Sequence, residues 1–105
     1  MTNRDEFLKQ VRSLLQEAFG DRLRGVILYG SEARGTADPD SDIDLLVLLT
    51  GPVAFGKDLR TCIDVLYPLV LELDRPIHPK PVDVEEYQAQ EFPLYCEVKR
   101  EGIPA

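Results

Sequence analysis

Residues 30–46 read GSEARGTADPDSDIDLL, and the fold and the chemistry of this chain depend on this stretch. It places four aspartates, at positions 38, 40, 42 and 44, within seven residues and then continues into an apolar segment. Like charges at this spacing repel, and carboxylates that lead into a buried strand are costly unless something neutralises them. We therefore expect a positively charged group or ligand at this point of the chain.

The segments on either side of this stretch have the composition of strands. Residues 23–29 form a short β-branched and aromatic run that is bounded by glycine. Residues 43–49 are almost continuously apolar, which predicts a strand that is buried on both faces. Gly51 and Pro52 end this second strand.

Helical spacing of apolar residues predicts three further elements. Residues 3–19 read as an amphipathic helix that Thr2 or Asn3 caps and Gly20 ends. Residues 57–73 repeat the pattern, and Pro68 predicts either a kink or a restart of the helix there. Residues 92–100 read as a last short helix.

Residues 75–84 carry three prolines, so this segment is predicted to be an edge strand or an extended arm. The order helix, strand, strand, helix, edge strand, helix is typical of a small α/β or α+β sheet domain. At 105 residues, the chain is expected to form one domain over residues 1–105.

Composition narrows the possible partners. The formal net charge of −7 argues against broad binding to a nucleic acid backbone, and it fits divalent cations or a basic partner. No apolar run is long enough to span a membrane, and the N-terminus lacks the layout of a signal peptide, so we expect a cytoplasmic protein with no membrane partner. Cys62 and Cys96 are predicted to be buried or half-buried thiols, outside any disulfide or zinc site.

Gly30 and Ser31 directly follow the first predicted strand, and Gly35 limits the next element to one helical turn. A strand that ends on Gly-Ser lets the backbone come close to a ligand, and the first N–H groups of the turn are unpaired. With the Ser31 hydroxyl as a further donor, this turn predicts an anion site. Arg34, one turn later, adds positive charge or braces the loop on the sheet.

Asp42 and Asp44 are two residues apart on an extended segment, so their side chains emerge on one face, roughly 6.5–7 Å apart at Cα. Mg²⁺ prefers oxygen ligands and is commonly shared between one or two carboxylates and substrate phosphates. Beside a phosphate-binding turn, this pair indicates metal-assisted phosphoryl chemistry. Asp38 and Asp40 are instead predicted to be solvated charges of an acidic turn.

Other sites with similar residues do not match the spacing. A calcium-binding EF-hand loop that begins at Asp38 needs glycine and glutamate where the chain has Ile43 and Leu49. The Gly-Lys of a Walker A loop and the G-x-S-x-G of a nucleophile elbow are absent from the sequence.

Gly30-Ser31, ten residues, and then Asp42-Ile43-Asp44 is similar to the signature of the minimal nucleotidyltransferases of the DNA polymerase β superfamily. The surrounding GSEARG and PDSDIDLLV, and VKREGI near the end, resemble the fuller family pattern over most of the chain. The resemblance implies the nucleotidyltransferase fold, a small mixed β-sheet flanked by helices.

The same resemblance implies roles for the residues of the motif. Gly30 and Ser31 would hold the triphosphate, and Asp42 and Asp44 would ligate Mg²⁺ and take part in catalysis. Arg34 and Ser41 match nucleotide-binding positions with supporting roles.

The family usually has a third carboxylate on a later strand, where it helps to bind metal and draws the proton from the acceptor hydroxyl. Asp83, in PVDVEEY, is the candidate for this catalytic and metal-binding role. The alternative is that Asp83 caps a helix that starts near Val84. Asp74 is a weaker candidate.

The resemblance implies an Mg²⁺-dependent enzyme that transfers AMP from ATP to a hydroxyl acceptor. Stand-alone domains of this kind resemble the antitoxins of toxin–antitoxin pairs, which implies a small helical HEPN toxin as partner and one of its tyrosines as acceptor. Two alternatives stay open: a nucleotidyltransferase subunit that acts on a small molecule, and an antitoxin that works by binding alone. Exposed apolar faces on so small a domain are also compatible with an oligomer.

Overall fold

The computed structural model of the chain describes residues 4–38, 40–90 and 92–105. Five α-helices, four strands and a short 3₁₀ helix (Gly20–Arg22) account for most of them. The helices are α1 (Arg4–Phe19), α2 (Ser31–Arg34), α3 (Phe55–Leu73), α4 (Val84–Gln88) and α5 (Pro93–Glu101). The strands are β1 (Leu23–Tyr29), β2 (Ile43–Leu49), β3 (Ile77–Asp83) and β4 (Ile103–Pro104).

The four strands form one mixed sheet in the order β3-β2-β1-β4. β1 runs antiparallel to β2 and to β4, whereas β3 lies parallel to β2 on its other side. The parallel pair requires a crossover, which α3 supplies. The predicted mixed sheet flanked by helices is confirmed.

Two apolar clusters cover the two faces of this sheet. α1 and α3 pack on one face, around fully buried side chains such as Leu15, Leu45 and Leu66. α4 and α5 pack on the other face, over Leu46 and Leu48. Because successive residues of β2 point to opposite faces, this strand is buried on both sides, as its unbroken apolar run predicts.

Both central strands have the bounds that the sequence predicts, and β3 is the edge strand that its prolines indicate. The first helix ends at Phe19, as predicted, although its predicted caps Thr2 and Asn3 lie outside the described residues. α3 begins at Phe55 rather than at residue 57, and it continues through Pro68, so the predicted alternative of a restart is wrong.

The sequence predicts α4 only as an alternative, a helix that starts near Val84 with Asp83 as its cap, and it does not predict β4. α4 has only five residues and β4 only two, and such short segments carry no readable period. β4 pairs with Ile27 and Leu28 of β1, so it exists only because the sheet offers a free edge.

The two cysteines differ in their surroundings. Cys62 is buried, as predicted, but Cys96 is exposed on α5, so the prediction of a second shielded thiol is wrong. The period of a nine-residue helix constrains its faces weakly, and Cys96 lies on the solvent side. Among the described helices, none has the length and apolar character needed to cross a membrane.

Candidate functional site

The site residues meet at the end of the sheet where β1 ends and β2 begins. The antiparallel register places Tyr29, the last residue of β1, opposite Asp44 of β2. Gly30 follows Tyr29 directly, so the turn that leaves β1 begins beside the Asp44 carboxylate. The antiparallel pairing therefore brings the two halves of the sequence motif together, although 12 residues lie between Gly30 and Ile43, the start of the next strand.

Gly30 is required at this position for two reasons. Its backbone has φ 77° and ψ −155°, a conformation that is essentially restricted to glycine. A Cβ at Gly30 would lie 2.5 Å from Oδ2 of Asp44, whereas Cβ atoms in proteins essentially never come within 3.0 Å of another non-bonded heavy atom. The absence of a side chain thus leaves open the space beside the carboxylate.

Asp42 and Asp44 project from the same face of the sheet, the face that α4 and α5 cover further along. Asp42 is exposed, and Asp44 is half-buried at the beginning of the apolar strand. Burial raises the pKa of the Asp44 carboxyl, and the nearby Asp42 charge raises this pKa further, while His78 and Arg34 act in the opposite direction. The fold thus holds a carboxylate where its charge is poorly compensated.

Ser31 begins α2, the single turn that the sequence predicts, and Gly35 ends it in the left-handed conformation. As at any helix start, the first N–H groups lack partners within the helix. Arg34, at the end of this turn, is half exposed and contacts Glu101 of α5 at 3.5 Å. A cleft of about 150 Å³ opens beside Gly30 between α2 and α5, so this end of the sheet is accessible.

The loop that precedes β2 is held by its own side chains. The Asp38 carboxylate accepts hydrogen bonds from the Asp40 N–H and the Ser41 hydroxyl, both at 3.1 Å. The Asp38 N–H in turn donates to the Ser41 hydroxyl oxygen at 3.1 Å. Asp38 therefore does more than the solvated charge that the sequence predicts, and the Ser41 side chain is engaged in this turn.

Arg75, which the sequence analysis does not single out, connects the two halves of the site. Its guanidinium donates to both carboxylate oxygens of Glu32 in α2, each at 3.1 Å. The same group donates to the Ser41 carbonyl, next to Asp42, at 2.9 and 3.0 Å. Arg75 thus supplies the bracing that the sequence analysis considers for Arg34, and no periodic signal marks an arginine between a helix and a strand.

Asp83 lies at the far end of the sheet from Asp42 and Asp44. It pairs with Leu49, five residues beyond Asp44 on β2, which corresponds to roughly 16 Å along the strand. Its carboxylate packs against Gly51 and accepts a hydrogen bond from the Glu85 N–H at 2.9 Å, as the N-cap of α4. The prediction of Asp83 as a third catalytic and metal-binding carboxylate is therefore corrected, and the helix-cap alternative describes its position.

His78 occupies the place on β3 that faces the aspartate pair. It lies opposite Asp44 in the parallel register, and its Nδ1 is 3.4 Å from Oδ2 of Asp42. His78 is the single histidine of the chain, and the sequence alone does not mark it as a site residue, because its neighbourhood depends on the register between β2 and β3. The strand beside the pair thus presents an imidazole where the resemblance leads us to expect a carboxylate.

Across residues 4–38, 40–90 and 92–105, no group of three or more His, Cys, Asp or Glu side chains is arranged to hold a metal ion. This applies equally to Asp74, the weaker candidate for a third ligand. Two carboxylates on one face nevertheless fit Mg²⁺, which is commonly held by one or two carboxylates together with substrate phosphates. The poorly compensated charge of Asp44 beside Asp42 fits a divalent cation as well.

The comparison with known families agrees with this geometry. The model of the nucleotidyltransferase domain family matches residues 5–101 of the chain. The chain belongs to the nucleotidyltransferase domain family. The match includes the strand ends, the Gly30 turn and both aspartates, so the residues that form the candidate site lie within the family's own domain.

Two proteins of Methanocaldococcus jannaschii are similar in sequence to this nucleotidyltransferase domain. "Putative protein adenylyltransferase MJ1305" is 52% identical over 44 residues, which are 42% of this chain and 27% of that protein. "Putative protein adenylyltransferase MJ0604" is 33% identical over 64 residues, which are 61% of this chain and 62% of that protein. The matched stretches therefore span less than two thirds of either relative.

Among solved structures, the fold is similar to a chain in a crystal structure of a toxin–antitoxin with AMP-PNP. The TM-score is 0.64 at 20% identity, and the alignment covers 92% of this chain and 70% of that chain. At this identity, the similarity establishes the shared nucleotidyltransferase fold.

Proposed function

We propose that this domain transfers AMP from ATP to a hydroxyl group of a partner protein, and that Asp42 and Asp44 would hold the Mg²⁺ ion that the reaction needs. The observation that carries the proposal is the contact between the Gly30 turn and the Asp44 carboxylate. This contact brings the turn to which we assign phosphate binding next to two carboxylates on one face, and phosphoryl transfer needs these two features together.

In this proposal, the protein mainly positions the reactants. Gly30 lets the chain approach the triphosphate closely, and Ser31 donates its hydroxyl to a phosphate oxygen. Arg34 is half exposed and acts on the Asp44 charge, so in this proposal it would bind the nucleotide in a supporting role. Ser41 supports the site through the turn it forms with Asp38, rather than by direct contact.

The acceptor hydroxyl oxygen attacks the α-phosphorus of ATP and forms the new P–O bond. The bond from the α-phosphorus to the oxygen that bridges the α- and β-phosphates breaks, and pyrophosphate leaves with that electron pair. The proton of the acceptor passes to solvent. When bound, Mg²⁺ supplies the positive charge that stabilises the phosphate oxygens during transfer.

We infer a toxin as the partner, and a tyrosine of a small helical HEPN toxin as the acceptor. Three observations support this inference: the similarity of the motif to stand-alone antitoxin domains, the fold shared with a chain of a toxin–antitoxin structure, and relatives named as protein adenylyltransferases. The net charge of −7 suits docking on a more basic protein.

The test uses the purified chain, ATP labelled at the α-phosphate, Mg²⁺, and the protein encoded next to this chain in the genome. We expect the label on that partner, and its loss when the acceptor tyrosine is changed to phenylalanine. The matched pair of variants is Asp42→Asn with Asp44→Asn, which should not transfer label, and Asp40→Asn, which should. Label on a small acceptor instead would favour the small-molecule alternative.

Binding without turnover is the second candidate function, and the position of His78 favours it. The described residues offer no third carboxylate beside Asp42 and Asp44, so no acidic side chain stands ready to accept the proton of the acceptor. If wild-type chain transfers no label, and the double aspartate variant still captures the partner, the chain acts as an antitoxin by binding alone.

A further inference from the structure

The solvent face of α3 carries an apolar stripe. Ile63, Tyr67 and Leu71 are spaced four residues apart, and 45%, 54% and 63% of their respective surfaces are exposed. They lie on the side of the helix opposite to its core residues, which are Asp58, Cys62, Leu66 and Leu69. The outer face of a helix that packs on a sheet is ordinarily polar, so three large apolar side chains in a row indicate a surface that a partner covers.

Two opposite charges lie at the ends of this stripe, at equal distances from its centre. Arg60 is seven residues before Tyr67, and Asp74, which ends the helix, is seven residues after it. Seven residues correspond to about two helical turns, so the Cα atoms of both residues lie on the same face as the apolar stripe, and Asp74, the C-cap of the helix, is exposed there. Arg60 reaches Asp64 at 3.5 Å, but both side chains are largely exposed, and such a pair holds the arginine weakly.

We propose that a second copy of this chain docks on this stripe, with the two α3 helices antiparallel across a two-fold axis at Tyr67. The symmetry places Ile63 opposite Leu71 of the partner subunit, and Tyr67 against Tyr67 of the partner subunit. Arg60 then faces Asp74 of the partner subunit, and the same ion pair forms a second time on the other side of the axis.

We infer a second copy of the chain, rather than another protein, because the stripe is complementary to itself. A two-fold interface uses the same patch on both subunits, so each group of the patch must find its complement within that patch. The stripe meets this condition, because its apolar centre is symmetric and its two end charges are opposite in sign. An unrelated partner would not require a positive and a negative group at equal distances from Tyr67.

The dimer leaves the candidate site open. α3 packs on the sheet face that carries Leu45 and Val47, whereas Asp42 and Asp44 project from the opposite face. The inference is therefore independent of the proposed function. One helix face buries less than the roughly 800 Å² per partner of a standard interface, so we expect a weak dimer with a dissociation constant of about 10 µM.

Sedimentation velocity at concentrations that bracket about 10 µM tests the proposal. We expect wild-type chain to shift from monomer to dimer across this range. Tyr67→Glu should stay monomeric at every concentration, since it places two charges against each other at the axis. Glu72→Lys, on the same helix but beside the stripe, is the matched control and should dimerise like wild type. Circular dichroism checks that each variant is folded.

Charge reversal distinguishes this dimer from other uses of the stripe. Arg60→Glu and Asp74→Lys should each raise the dissociation constant about tenfold, and the two together should restore it, because the ion pair is reversed rather than lost. Monomeric wild type at all concentrations would overturn the proposal, as would a double variant no better than its parents. If Tyr67→Glu abolished only capture of the partner protein, the stripe would belong to that protein instead.

Discussion

Asp58 and Asp44 are two aspartates that the fold partly shields from water, and their surroundings are opposite. The buried Asp58 carboxylate accepts hydrogen bonds from two nitrogens of Arg22, at 3.0 and 3.1 Å, and from the Ala54 N–H at 3.1 Å. No described residue donates a hydrogen bond to the Asp44 carboxylate, and Asp42 adds a like charge on the same face.

The pKa values of the two carboxyls shift in opposite directions. The hydrogen bonds from Arg22 lower the pKa of Asp58 despite its burial. Burial raises the pKa of Asp44, and the Asp42 charge adds to the effect. This chain can therefore compensate a shielded acid with its own groups, and at Asp44 it does so incompletely. Acids of this second kind are common where a ligand supplies the missing charge.

The largest expected effect is on AMP transfer, which we expect to depend on Asp44 and not on Asp58. Asp44→Asn should lower AMP transfer by roughly 10³-fold, because it removes a carboxylate that the proposal assigns to the metal. The measurement is the initial rate of label transfer at saturating ATP. Asp40→Asn, on the exposed part of the same loop, should transfer like wild type. Full activity in Asp44→Asn would contradict the metal assignment.

The counterpart at Asp58 concerns stability. Asp58→Ala should lower the free energy of unfolding by roughly 1–3 kcal/mol, since it removes three hydrogen bonds and the charge partner of Arg22. Urea denaturation measures the change, and transfer by the folded fraction should stay at the wild-type rate. Asp64→Ala, which removes an exposed partner of Arg60, should cost less than about 1 kcal/mol. Equal losses in both variants would show that Asp58 is not specially held.

Arg75 makes the same kind of contact as Arg22, but within the candidate site. Arg75→Lys keeps the positive charge and loses the fork that joins Glu32 to the Ser41 carbonyl. We expect the Michaelis constant for ATP to rise about tenfold, because the turn and the loop are no longer fixed relative to each other. Steady-state kinetics separates this effect from a loss of stability, which would leave the Michaelis constant of the folded fraction unchanged.

Without a ligand, we expect loss of the Asp44 charge to stabilise the fold, whereas loss of Asp58 destabilises it. Asp44→Asn should raise the free energy of unfolding by about 1 kcal/mol in the absence of Mg²⁺ and ATP, because it removes a poorly compensated charge. Adding Mg²⁺ and ATP should stabilise wild type more than the variant, since a ligand stabilises only the state that binds it. Thermal unfolding with and without the ligands measures both effects, and a lower melting temperature of the variant without ligands would show that Asp44 is structurally satisfied.

The smallest expected effect is on the free energy of unfolding at acid pH. There, ionisation of Asp44 destabilises the fold and ionisation of Asp58 stabilises it. The raised pKa of Asp44 makes its ionised form costly above the folded-state pKa, and this cost disappears as the pH falls below the ordinary value of 3.8. The lowered pKa of Asp58 stabilises the fold above 3.8, and this contribution is lost as the pH falls through the folded-state pKa.

Urea denaturation at several pH values measures this difference. The advantage of Asp44→Asn over wild type should vanish below about pH 3.8, whereas the deficit of Asp58→Ala should shrink only at lower pH. A parallel pH dependence of the two variants would mean that the carboxyls share one environment.

Local sequence predicted the parts of the fold with strong periods or strong end signals. β1 and β2 match their predicted bounds, and the single turn after Gly30 lies between the glycines that define it. The Gly30 turn and the aspartate pair were predicted as parts of one site, because an anion-binding turn and two carboxylates together suit metal-assisted phosphoryl chemistry. These features depend on residues close together in the chain.

The neighbours of the aspartate pair from other segments depend on the register between β2 and β3 and on tertiary packing, which the sequence did not predict. Asp83 and His78 are five residues apart on the same strand, and sequence alone gave no reason to prefer the histidine as the neighbour of Asp44. The bracing role of Arg75 depends equally on where the end of α3 meets the loop before β2.

By itself, the sequence determined the chemistry that this protein carries: a glycine-serine turn, two aspartates on one face, and the strands that bear them. Only the tertiary structure decided which side chains from other segments stand beside that pair. The physical reason is that the pairing of β3 with β2 is a long-range choice, made by the packing of α3 and the two apolar clusters together. A shift of this pairing along the strand would place a different residue opposite Asp44 without changing any local pattern.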